Sequence, residues 1–148
     1  VRSRGLGDVY KRQVRAHIND SFPKPMPVID TQRIVQARQL VKEVYIDERI
    51  EQYIADIVFA TRYPEQYKLQ DMKDYISFGG SPRASINLAL ASRACAFIKR
   101  RGYVIPEDVR EVAPDVLRHR IGLSYEAEAA DIKADDIVRE ILNRVEVP

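Results

Sequence analysis

A chain of 148 residues is long enough for one domain with a buried core, and 45% hydrophobic with 31% charged residues is an ordinary folded composition that argues against disorder. No run of about twenty apolar residues is present to span a bilayer, and the start lacks the apolar stretch of a secretory signal; no membrane insertion and a cytoplasmic location are expected. The formal charge of +2 is uneven: residues 1–13 hold Arg2, Arg4, Lys11 and Arg12 against Asp8, whereas the remainder carries 20 basic and 21 acidic side chains, so the body offers no broad footprint for a phosphate backbone and no nucleic-acid partner is expected.

Taken in chain order, residues 3–13 read SRGLGDVYKRQ, with no evident helical or strand period. DVYKRQ is what GAT GTG TAT AAG AGA CAG encodes, and the stretch resembles a translated tagmentation sequencing adapter. That resemblance implies that residues 1–13 are a disordered appendage foreign to the fold, and that natural coding sequence resumes at about Val14 with its upstream part missing. Residues 14–29 contain Pro23, Pro25 and Pro27, which deny a helix both amide donors and geometry, and an extended linker is predicted there.

Asp30 is placed to cap a helix carrying Ile34, Ala37, Leu40, Val41 and Val44, and Asp47 a second with Ile50, Tyr53, Ile54, Ile57 and Val58 on one face. Each amphipathic helix needs a partner surface. Residues 63–80 contain Pro64 and a glycine pair, and read as a long connection in which only residues 69–76 form a short helical turn. Ser81 suits an N-cap and Pro82 the first helical position; the helix runs through Ile86, Ala89, Leu90, Ala94, Phe97 and Ile98 and stops at Gly102. Cys95, the single cysteine, stands inside that pattern as a small core residue. Lys99, Arg100 and Arg101 fall in the last turn, where cations favour the helix dipole.

Pro106 opens a further helix with Glu107 and Asp108 in its first turn, although Ile105 is a poor cap. Pro114 makes this either two short helices or one kinked helix. Arg118, His119 and Arg120 are either a subunit contact or an exposed basic turn, and residues 122–130 are ambiguous. A last helix over residues 134–145 buries Ile137, Val138, Ile141, Leu142 and Val145. No strand pair is convincing, so the predicted class is all-α: a small bundle of four to six helices behind an extended N-terminal linker. His17 and His119 are too isolated for a metal site, and Glu126, Glu128, Asp131, Asp135 and Asp136 read as a solvated acidic face.

The candidate for chemistry is ISFGGSPRAS, residues 76–85. A flexible glycine pair, Gly79 and Gly80, leads into a helix capped by Ser81 and begun by Pro82, with Arg83 in its first turn. Free amides and the dipole at a helix start attract anions, and a guanidinium adds a planar donor fork suited to phosphate oxygens.

That element resembles the G-(A/G)-S-P-R-A segment of MoxR-family AAA+ ATPases, and the following YVIPEDV and VLRHRI match that family's next motifs in its C-terminal lid. The likeness covers nearly all of the chain after the adapter-like stretch. It implies a helical lid over residues 30–148, with residues 14–29 linking it to a missing ATPase core. Arg83 inherits the role of the sensor 2 arginine, which reaches the nucleotide phosphates, with Gly79, Gly80, Ser81 and Pro82 shaping its approach. The family further implies ATP with Mg²⁺ as cofactor, a homo-oligomeric ring, expected to be a hexamer, and client proteins that are remodelled or matured. The sequence contains no G-x-x-x-x-G-K-(S/T) phosphate loop and no recognisable arginine finger, so this chain alone is expected to have no ATPase activity. The rival readings are a stand-alone helical interaction module and a helical nucleic-acid binder working through residues 99–101.

Overall fold

The computed structural model describes residues 4–18 and 26–148, and the chain divides into two compact units, residues 1–34 and 35–148. Helix α1 spans Arg4–Ile18, which corrects the expectation of disorder over residues 4–13 and of extended chain over residues 14–18; residues 1–3 and 19–25 lie outside the described residues. The apolar residues Leu6, Tyr10, Val14 and Ile18 recur every fourth position, a helical stripe hidden by the surrounding glycines and cations. Pro23 and Pro25 lie outside the described residues, while residues 26–29 are non-helical and exposed. Asp30 caps α2, Thr31–Glu43, by accepting the Arg33 amide at 2.7 Å. α2 begins in the first unit and ends in the second, and none of its residues is buried; Ile34, Val35 and Leu40 stay exposed, and of the expected face only Val44, just past the helix, is buried.

Helix α3, Glu48–Ala60, follows its sequence pattern: Asp47 caps it through the Arg49 amide at 3.0 Å, and Ile50, Tyr53, Ile54, Ile57 and Val58 are all buried. The long connection holds more structure than one turn. Two short 3₁₀ helices, Pro64–Tyr67 and Gln70–Tyr75, flank a fully buried Leu69. Strand β1, Ile76–Phe78, then pairs antiparallel with β2, Gly122–Leu123, which the sequence did not reveal because two or three residues carry no readable alternation. The exposed Phe78 ring lies across Gly122, where a Cβ would stand 2.2 Å from it and would turn the ring aside.

Helix α4, Pro82–Ile98, buries Ala84, Leu88, Ser92, Cys95 and Ala96, whereas Ile86, Leu90 and Ile98 of the predicted stripe are exposed. Both faces are apolar enough to read as a core face, and packing chose the one with smaller side chains, which admits close helix approach. The helix does not stop at Gly102. Arg100 adopts a left-handed φ of 58°, the Arg101 amide bonds the Ala96 carbonyl and the Arg100 amide the Phe97 carbonyl, both at 2.9 Å. These paired bonds form a Schellman stop, which leaves Lys99, Arg100 and Arg101 just past the last helical residue. Because a left-handed backbone strains any side chain, Arg100→Gly is expected to raise stability by about 0.5–1 kcal/mol. Equilibrium urea unfolding checks this, and a loss of stability would show that the Arg100 side chain makes a contact of its own.

Helix α5, Pro106–Leu117, is a single element with Pro114 inside it, which settles the alternative left open by the sequence. The ambiguous stretch after it resolves into β2 and a short helix α6, Tyr125–Ala129, whose cap Ser124 accepts the Ala127 amide at 3.2 Å and donates to the Asp74 carbonyl at 2.6 Å. Helix α7, Ala134–Arg144, buries Ile137, Val138, Ile141 and Leu142 against the bundle. Arg110 ties three helices: it donates to the Leu142 carbonyl and, at 3.4 Å, to the Tyr53 hydroxyl. Apart from the small β1–β2 pair, the second unit is a helical bundle, as its class predicted.

Candidate functional site

The turn leading into α4 is built against the end of α3. Thr61, immediately after that helix, is fully buried; its hydroxyl donates to the Val58 carbonyl at 2.6 Å and accepts the Gly80 amide at 2.8 Å. One hydroxyl proton and two lone pairs serve both bonds at once. Gly79 is pressed onto the same backbone, where a Cβ would stand 2.4 Å from the Thr61 carbonyl oxygen and 2.6 Å from its carbon. Neither Gly79 nor Gly80 has a positive φ. The pair therefore serves by lacking bulk, and the expected flexible lead-in is instead a tightly held turn. The Arg62 guanidinium adds a long contact, 3.5 Å from its Nη1 to the Gly80 carbonyl.

Ser81 takes the N-cap place with an extended backbone, φ −81° and ψ 168°, and Pro82 follows as predicted, but the Ser81 side chain makes no capping bond. The Ala84 amide is satisfied at 2.7 Å by the Ser81 carbonyl, a tight first turn. The hydroxyl is thus left out of the helix start, and both Ser81 and Pro82 are exposed. Arg83 is exposed too and, among the described residues, forms neither an ion pair nor a hydrogen bond. A cleft of about 200 Å³ opens beside the turn, with Arg62, Glu65, Lys73 and Ser77 in its walls. Thr61 and Arg62 were not singled out from sequence; the available signal was a threonine at the end of an apolar helical face, a place where its hydroxyl bonds the backbone readily.

At the far end of α4 the basic residues turn inward. Asp108, fully buried at the start of α5, receives two bonds from Arg101, one from Lys99 at 3.3 Å and the Ile105 amide at 3.1 Å. Burial raises its carboxyl, but the Arg101 guanidinium, the Ile105 amide and Lys99 together outweigh burial and hold it at about 2. Asp108 thereby supplies the cap that Ile105 lacks. Lys99 also pairs with Glu111, and its ammonium is pushed up, first by that bond. Two of the three cations offered to the nucleic-acid reading are therefore occupied within the fold. Cys95 is buried beside the same carboxylate, and burial pushes its thiol up, away from a reactive thiolate. Among the described residues no group of three His, Cys, Asp or Glu side chains is placed to hold a metal. Of the acidic face, Asp135 pairs with Arg118 at 3.2 Å and Asp136 caps α7 by accepting the Lys133 amide at 3.0 Å.

Comparison with known proteins places this arrangement. Residues 69–141 match the AAA lid domain family. Over 93% of its length the chain is 35% identical to the chaperone MoxR1 of Mycobacterium tuberculosis, and over 95% it is 37% identical to the uncharacterised protein YeaC of Bacillus subtilis. A crystal structure from Cytophaga hutchinsonii, of a protein described as a candidate ATPase, superposes with a TM-score of 0.84 at 39% identity over 95% of the chain. The chain spans 37% and 40% of the two sequence relatives and 43% of the solved chain. Residues 69–141 form an AAA lid domain, and the chain belongs to the MoxR-type AAA family.

Proposed function

We propose that this lid closes over ATP held by an α/β core in a longer protein, and that Arg83 is the sensor 2 arginine that touches the nucleotide phosphates from the lid side. The observation that carries the reading is an exposed guanidinium with no partner among the described residues, in the first turn of a helix whose Ser81 makes no side-chain cap. An arginine is unfavourable beside the positive end of a helix dipole, and an arriving phosphate would satisfy both together. The Thr61 clamp and the close approach at Gly79 fix where that guanidinium starts.

In this reading the ligands of the Mg²⁺ that accompanies ATP and the phosphate loop, which this sequence does not contain, belong to the core, and this chain alone is proposed to be inactive. The whole protein is proposed to be a cytoplasmic homo-oligomeric ring, a hexamer, that couples ATP hydrolysis to remodelling or maturation of client proteins. Lid closure would then follow from a contact made with the terminal phosphate of ATP and lost with ADP.

The test is Arg83→Ala in the full-length protein that carries this lid. ATP turnover should fall roughly ten- to a hundredfold, the loss of one charge-assisted hydrogen bond, while the far-ultraviolet circular dichroism stays that of the parent. Unchanged turnover would remove the sensor assignment.

A further inference from the structure

Arg120 is half-buried, and its Nε is shielded from solvent without a hydrogen-bond partner; among the described residues its guanidinium pairs with no carboxylate. The other half-buried arginines of the α4–α5 hairpin region mostly do better: Arg101 is held by Asp108, and Arg110 by the Leu142 carbonyl. A guanidinium stays charged at every accessible pH, and shielding part of it without a counter-charge is costly.

Two independent constraints bring Arg120 to the corner occupied by Arg83. Contacts between Cys95 or Lys99 and Asp108 mark one end of the α4–α5 pair, so the chain folds back there and the end of α5 returns toward the start of α4. The β1–β2 pairing fixes the other end: Phe78 lies opposite Gly122, Arg120 is two residues before Gly122, and Gly80 is two residues after Phe78. Arg93 also has a shielded Nε without a partner, but it lies ten residues beyond Arg83 on α4, roughly 15 Å along the axis.

We propose that Arg120 is a second arginine for the terminal phosphate that Arg83 engages, so that the lid presents one exposed and one half-buried guanidinium to the same group. This rests on the sensor reading of Arg83. The exposed arginine makes the first contact, and the half-buried one, whose Nε is shielded from water, makes the contact that discriminates tri- from diphosphate.

The experiment is calorimetric titration of the full-length protein with AMP-PNP and with ADP, for Arg83→Ala, Arg120→Ala, Arg120→Gln and the Arg83→Ala/Arg120→Ala double variant. Arg120→Ala should weaken AMP-PNP binding roughly ten- to a hundredfold while ADP changes less than about threefold. The double variant should lose less than the product of the single losses, because both residues act on one phosphate. AMP-PNP affinity within about twofold of the parent overturns the proposal, as does a parallel loss for ADP, which would mark a structural role with a carboxylate of the core. Should Arg120→Ala fail to fold, Arg120→Gln decides by the same criteria. If Arg83→Ala leaves both affinities unchanged, the sensor reading itself falls; if Arg83→Ala weakens AMP-PNP and Arg120→Ala does not, only the present inference falls.

Discussion

Replacing Asp108 by alanine is expected to destabilise the chain by about 3 kcal/mol, a large share of the 5–15 kcal/mol that holds a typical domain together. Three losses coincide. The Ile105 amide loses its capping acceptor, Arg101 loses both bonds to the carboxylate, and Lys99 keeps only Glu111. The Arg101 side chain is already largely covered, so its charge is left with the Tyr103 carbonyl as its remaining partner. Urea unfolding of the 148-residue chain measures the cost, and a loss under about 1 kcal/mol would mean that the cations relax into solvent freely. The same carboxylate gives the fold an acid limb. Burial works against its ionisation, but Arg101, the Ile105 amide and Lys99 hold it at about 2, below the ordinary value of about 3.9 in an unfolded chain. The stabilisation is therefore complete above about pH 4 and is lost as pH falls toward 2, in an amount on the order of 2 kcal/mol. Asp108→Asn should flatten that part of the stability profile.

Gly79→Ala is expected to cost about 3 kcal/mol for a different reason. The added methyl would lie 2.4 Å from a backbone oxygen and 2.6 Å from a backbone carbon of Thr61, and backbone cannot swing aside as the tip of a side chain can. Relief requires parting the turn from α3, which breaks the bond from the Gly80 amide to Thr61. Gly102→Ala is the control, since no atom lies within 4 Å of a Cβ there. Thermal unfolding of the two variants side by side should show a large drop for the first and little change for the second. Equal midpoints would mean that the close approach at Gly79 is readily relaxed.

Long periodic helices with polar starts were legible in the sequence. α3 and α7 bury the residues their spacing indicates, because a single apolar face leaves one way to pack. α4 was legible as a helix but not in orientation, since small residues on one side and large ones on the other both read as apolar. Its stop was misplaced because the left-handed residue is Arg100, and propensity points to the glycine two positions later. α1 was not legible over residues 4–13, where Leu6 and Tyr10 of its apolar stripe stand among glycines and cations. At the candidate site, the Ser81, Pro82 and Arg83 positions followed from local rules. Thr61 did not, because its bond to Gly80 joins residues nineteen positions apart, and no local pattern encodes that.

α3 also behaves as a beam. Its thirteen residues span about 20 Å; one end is held to the turn before α4 through the Thr61 hydroxyl, and from its middle Tyr53 meets the Arg110 that grips α7. Thr61, α3, Tyr53 and Arg110 thus form one continuous hydrogen-bonded route from Gly80 to α7 on the opposite wall.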